Sequence, residues 1–149
     1  MTRSSYKLIL AGLLTLFLAS GLYTSPPPEQ VDAKELRCLA LNIHYEARGE
    51  PFAGKLAVAH VAINRLYDKA FPGVSLCEII FQPRQFSWTH QFPRWRSTQV
   101  PPETEELAMK IMLGKYEDPT AGALFYHNLS VRPFKRHRVA KIGHHIFYT

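Results

Sequence analysis

Two carboxylates stand four residues apart in Tyr45-Glu46-Ala47-Arg48-Gly49-Glu50, and the first is placed for proton transfer. Glu46 falls at the border of an apolar helical stripe. Burial there disfavours the charged form and lets a carboxyl act as a general acid near neutral pH. Most glutamates at such a border are solvated or ion-paired, so position alone makes Glu46 a candidate and no more. Glu50 is the second carboxyl within reach, either in the chemistry or as a structural group paired with Arg48 or a backbone amide. Residues 82–96 interleave Phe86, Trp88, Phe92 and Trp95 with Arg84, Arg94 and Arg96. Such a segment could stack on pyranose rings, or it could be a loop stapled to the core by its aromatics. Seven histidines raise the question of metal. On a strand, however, His144 and His145 would point to opposite faces, and no acidic residue has the matching spacing. Cys38 and Cys77 are too few for a zinc knuckle. No metal and no cofactor are expected.

Placing Glu46 takes a helix. Asp32-Ala33-Lys34-Glu35 fits a capping box, with Asp32 as N-cap and Glu35 reaching back. Leu36, Leu39, Ala40, Ile43 and Ala47 then recur at helical spacing. At about 100° per residue, Glu46 lies about 60° from the centre of that stripe, with Tyr45 and Arg48 on the other side. Gly49 suits the C′ position, and Pro51 biases Glu50 away from helix. A second helix over 53–67 is apolar nearly all round, which predicts a place in the middle of the domain. His60 and Asn64 share one side of it. Phe71-Pro72-Gly73 breaks the chain, and Ser75-Leu76-Cys77-Glu78 is another capping-box match opening a short helix. Residues 82–102 are irregular, and a further helix over 103–113 stops at Gly114. Residues 121–127 and 141–148 alternate like strands that pair as a hairpin, with 134–138 at the turn. The pattern is α+β and dominated by helices.

Arg3 and Lys7 precede a charge-free apolar run over 8–23, the pattern of an export signal. The run is short for a membrane span, which needs about 20 residues, and Ala19 and Gly21 offer small residues for cleavage. Residues 1–24 are read as a signal peptide or signal anchor, 25–31 as a Pro-rich linker, and 32–149 as one folded domain. Export leads to the periplasm or cell envelope, with the membrane a partner if 1–24 stays uncleaved. There Cys38 and Cys77 meet oxidising conditions, as a bridge closing about 40 residues or as two buried thiols. The formal charge of +6 suggests an anionic partner. An exported chain rarely meets nucleic acid, so acidic envelope polymers fit better. Arg132, Lys135, Arg136, Arg138 and Lys141 are a solvated basic face or a contact to wall polymers or phospholipid headgroups. A monomer is expected.

Several blocks follow one another in a recognisable order. They are Cys38-Leu39-Ala40, the stretch from Tyr45 through Pro51, Gly54, Ala57-Val58-Ala59 and Asn64-Arg65. Phe71-Pro72, Cys77, Gln85-Phe86-Ser87-Trp88, Ala123-Leu124-Phe125-Tyr126-His127 and Ile142-Gly143-His144-His145-Ile146-Phe147-Tyr148 come after them. This series, from about residue 35 to the C-terminus, resembles the SleB-type cell-wall hydrolases, which include the spore cortex-lytic enzymes. The resemblance implies a small helix-dominated, lysozyme-like α+β domain with a C-terminal β-hairpin, acting on peptidoglycan. Likeness to lytic transglycosylases implies that Glu46 protonates the glycosidic oxygen between N-acetylmuramic acid and N-acetylglucosamine. The muramic C6 hydroxyl then closes an anhydro ring, so one carboxyl suffices. Gln85, Phe86 and Ser87 would line the groove, and Tyr126 and His127 would contact substrate. Glu50 is a further substrate-binding candidate; as a nucleophile its carboxyl would lie about 5 Å from that of Glu46. The alternatives are a hydrolytic muramidase or glucosaminidase, an N-acetylmuramoyl-L-alanine amidase, and a non-catalytic wall-binding module. The family usually carries tryptophan where this chain has Phe134, which keeps a ring and lacks the indole donor.

Overall fold

The computed structural model describes residues 30–90 and 94–149. The segment 1–24, linker residues 25–29 and Phe92 lie outside the described residues. Helix α1 (Ala33–Ala47) begins where Asp32 Oδ1 accepts the amides of Lys34 and Glu35 at 2.7 and 3.1 Å, so the expected N-cap is present. Glu35 does not reach back to it. Its Oε2 accepts the Cys77 amide at 3.1 Å instead, because α3 (Leu76–Phe81) brings that amide, unpaired within its own first turn, against α1. Ser75 and Glu78 do cap α3, with Ser75 Oγ accepting from the Glu78 amide at 3.2 Å and Glu78 Oε2 from the Val74 amide at 2.8 Å. A Cys38–Cys77 disulfide joins α1 to α3 covalently.

Gly49 follows the C-cap residue Arg48 and so holds the expected C′ position, but without the left-handed backbone usual for a glycine there. Arg48 keeps right-handed helical angles. The helix runs out into a plain turn closed by the Glu50 amide on Ala47 O at 3.0 Å, and Pro51 then opens α2 (Phe52–Tyr67). Tyr45, placed by periodicity on the outer side, is half-buried. Its ring stacks on Trp88 at 4.8 Å and its hydroxyl hydrogen-bonds to the Thr98 hydroxyl. Phe81 packs on Trp88 and on Trp95 in the one-turn α4 (Arg94–Ser97). Trp88 and Trp95 thus fasten this irregular segment to the core and do not form an open aromatic wall.

Helix α2 is the centre of the fold, with Leu56 through Ala62 buried on both sides. One face joins α1, α3 and α5 (Pro102–Met112) in a core that includes Leu39, Ile43, Ile80 and Leu107. The other face, through Ala57, Val58 and Val61, packs against Ala123 and Phe147. Full burial of Phe147 stabilises that contact by roughly 3 kcal/mol.

Phe147 belongs to an antiparallel sheet of β1 (Phe125–Asn128), β2 (Arg138–Ile142) and β3 (His145–Tyr148), in the order β1-β3-β2. The expected pairing of the two tail segments appears as β1 with β3, Tyr126 opposite Phe147. A third strand is added. The tight turn is Gly143-His144 between β2 and β3, so residues 134–138 lead into β2 rather than forming the bend. Gly143, at φ +57°, supplies the positive φ that the first position of a two-residue turn requires. Among the described residues no helix is long and apolar enough to cross a membrane; the apolar run 8–23 falls outside them.

Candidate active site

Glu46 occupies the last turn of α1, where the adjacent Ala47 packs in one buried cluster with Phe147 of the sheet. Eighty residues later in sequence, β1 brings Tyr126 over it, and the Tyr126 hydroxyl donates to Glu46 Oε2 at 2.9 Å. Helix α2 supplies Arg65, a cation only 5% exposed in a mostly apolar helix. Its Nε donates to Leu124 O at 2.7 Å. The guanidinium lies among Phe71, Phe86 and Phe125 at 5.0, 5.2 and 5.8 Å from their ring centres. Its Nη1 has no hydrogen-bond partner among the described residues.

Three influences set the proton affinity of Glu46. Burial pushes its carboxyl above the ordinary carboxylate range, while the Tyr126 hydrogen bond and the Arg65 charge pull in the opposite direction; burial wins. Tyr126 is itself held well above the usual phenol range, first by burial and then by Glu46. It therefore remains a donor. The result is a carboxyl that is protonated more readily than an exposed one, yet has two groups ready to receive its charge.

Six of the seven site residues read from the sequence line a single cleft of about 220 Å³: Glu46, Gln85, Phe86, Ser87, Tyr126 and His127. Phe86 is buried under Arg65 and shapes the floor. His127 has both ring nitrogens engaged, Nδ1 with Asn128 O at 2.7 Å and Nε2 with the Tyr148 hydroxyl at 2.8 Å. Its ring is a fixed wall. Arg65, Asn128, Val131 and His145 also line the cleft and were assigned no role from sequence. Arg65 had a legible signal, a charge in the last turn of a helix that is apolar nearly all round.

Glu50 lies outside that lining. Its side chain is 7% exposed, and Oε2 accepts the His144 amide at 2.9 Å while Oε1 meets His144 Nδ1 at 3.1 Å. This is the backbone-amide role considered for it, with histidine rather than Arg48 as the second partner. Two glycines make room: a Cβ on Gly54 would sit 2.9 Å from Glu50 Cβ, and one on Gly143 1.8 Å from Oε2. His145 Nδ1 lies 3.6 Å from the same carboxylate. Burial lowers the His145 pKa and Glu50 opposes it; the ring that Glu50 backs is also part of the cleft lining. His144 sits in the turn, not on the strand, and both histidines therefore meet one acid that sequence spacing did not reveal. Among the described residues no group of three or more His, Cys, Asp or Glu is arranged to hold a metal ion.

A family model described as Cell Wall Hydrolase matches residues 49–148. The spore cortex-lytic enzyme of Bacillus cereus is 32% identical over 126 residues, 80% of this chain and 46% of that protein. Its counterpart in Bacillus subtilis (strain 168) is 34% identical over 119 residues, 76% of this chain and 37% of that protein. The chain thus spans less than half the length of these curated relatives. Among solved structures, the catalytic domain of the Bacillus cereus SleB protein superposes with a TM-score of 0.68 at 32% identity, covering 82% of this chain and 94% of that one. The catalytic domain of the germination-specific lytic transglycosylase SleB from Bacillus anthracis gives 0.68 at 31% identity, covering 83% and 100%. The family match starts three residues beyond Glu46, whose assignment therefore rests on its geometry.

Proposed function

This chain belongs to the cell wall hydrolase family, and on that footing we propose that it cleaves peptidoglycan glycan strands as a lytic transglycosylase with Glu46 as its single acid and base. The observation that carries this reading is the cleft's composition. Among the described residues lining it, Glu46 is the sole carboxylate. Hydrolysis by the usual two-carboxylate routes needs a second acid on the cleft, and Glu50 is committed to the His144 turn. One acid is enough when the substrate carries its own nucleophile.

Protonated Glu46 donates to the glycosidic oxygen between N-acetylmuramic acid and N-acetylglucosamine, and the C1–O bond breaks. The resulting carboxylate is stabilised by the Tyr126 hydroxyl and the Arg65 charge. It then takes the proton of the muramic C6 hydroxyl as that oxygen closes on C1 to form the anhydro ring. Gln85 and Ser87 border the same cleft and are placed to hydrogen-bond acetamido and hydroxyl groups of the strand. The enzyme works after export, in the periplasm or cell envelope, anchored to the membrane where residues 1–24 are retained.

Digestion of purified sacculi, with products read by mass spectrometry, tests this. Wild type should release anhydro-muropeptides, and Glu46→Gln should lose roughly 10²- to 10⁴-fold of that rate. Reducing-end products would show hydrolysis, free stem peptides an amidase, and undiminished release by the glutamine variant would remove Glu46 from the mechanism.

A further inference from the structure

A second concavity, of about 640 Å³, is lined by Phe125, Phe134, Lys135 and Arg136. It adjoins the cleft. The Phe125 ring that lies 5.8 Å from the Arg65 guanidinium is also covered by that of Arg136, at 3.7 Å. The Phe134 ring packs on the cleft residue His127 at 4.8 Å. Arg136 is thus held by an aromatic face and not left to sweep through solvent. Lys135 and Arg136 are both exposed. Among the described residues no carboxylate lies within ion-pairing distance of either, whereas Arg37 and Lys110 each face a glutamate. Arg132 and Arg138 extend the same sign of charge along the segment.

We propose that Lys135 and Arg136, backed by Phe125 and Phe134, form a subsite for the carboxylates of the peptide stem carried by the glycan strand. The inference rests on the peptidoglycan reading above and adds the part of the substrate it leaves unassigned. A strand whose sugars lie in the Glu46 cleft projects a stem peptide sideways from each muramic lactyl group. That stem carries several carboxylates on a flexible chain. Two unpaired cations beside the cleft, rather than within it, match that branching, and the aromatic walls accommodate the apolar stems of its side chains.

Binding tests this independently of turnover. The full chain carrying Glu46→Gln, in mild detergent, is titrated with soluble, uncross-linked glycan strands that carry stem peptides and with the same strands after the stems are removed. Stem-bearing material should bind roughly fivefold more tightly at low salt, and adding Lys135→Gln and Arg136→Gln should abolish the difference. Soluble stem tetrapeptide should displace the stem-bearing strands, and glycerophosphoglycerol, the headgroup of an anionic lipid, should not. Equal binding to both materials, a preference that survives the double substitution, or displacement by the headgroup alone would overturn the proposal. Failure of wild type to release anhydro-muropeptides would count against the reaction and leave this binding comparison intact.

Discussion

A carboxyl that must give up a proton and then take one back serves best when neither form is strongly favoured. At Glu46 burial favours the neutral acid, while Tyr126 and Arg65 favour the anion. In the proposed reaction the first step needs the protonated form, so the rate should fall as pH rises through the raised pKa of Glu46. Tyr126→Phe deletes a donor that lowers this pKa, so the descending limb of the pH–rate profile should move to higher pH. A limb that stays in place would mean that Tyr126 does not tune Glu46. The same scale explains why Glu50 and Glu46, four residues apart and chemically identical, differ so much. Glu46 is aimed at the cleft, whereas Glu50 is enclosed by Gly54, Gly143 and the His144 amide.

At the scale of elements, the β2–β3 turn and the start of α2 form one unit around Glu50. Gly143 has a left-handed φ of +57° and no room for a Cβ. Gly143→Ala should therefore cost about 2 kcal/mol or more in thermal or denaturant unfolding and displace His145 from the cleft wall. Gly49, which has no positive φ and nothing within 4 Å of an added Cβ, should tolerate alanine nearly without cost. A stability loss at Gly49 as large as at Gly143 would contradict this account. Helix positions were legible because their apolar periodicity is local. The fates of Tyr45 and Glu35 were not, because a tyrosine on the outer face of α1 is half-covered only once Trp88 arrives from elsewhere. Likewise Glu35 leaves its own helix only because α3 presents a free amide.

At the scale of the whole molecule, the disulfide ties α1, which carries Glu46, to α3 at the opposite end of the helix. Replacing both cysteines by alanine should lower unfolding stability by up to about 4 kcal/mol, read by denaturant titration. It should do so without changing the pH at which activity declines, since Cys38 lies two helical turns from Glu46. A shifted limb would show that the bridge also shapes the site. Residue order alone determined the helices, the paired tail strands and the acid at the end of α1, because each is written in local spacing or in blocks that resemble a family. Only the tertiary structure decided that Arg65 lines the same cleft as Glu46, that Glu50 belongs to a turn 94 residues away, and that Lys135 and Arg136 share a concavity with Phe134, whose ring packs on the cleft residue His127. These are contacts between segments distant in sequence. Their geometry follows from how α2 packs against the sheet, and no local pattern encodes it.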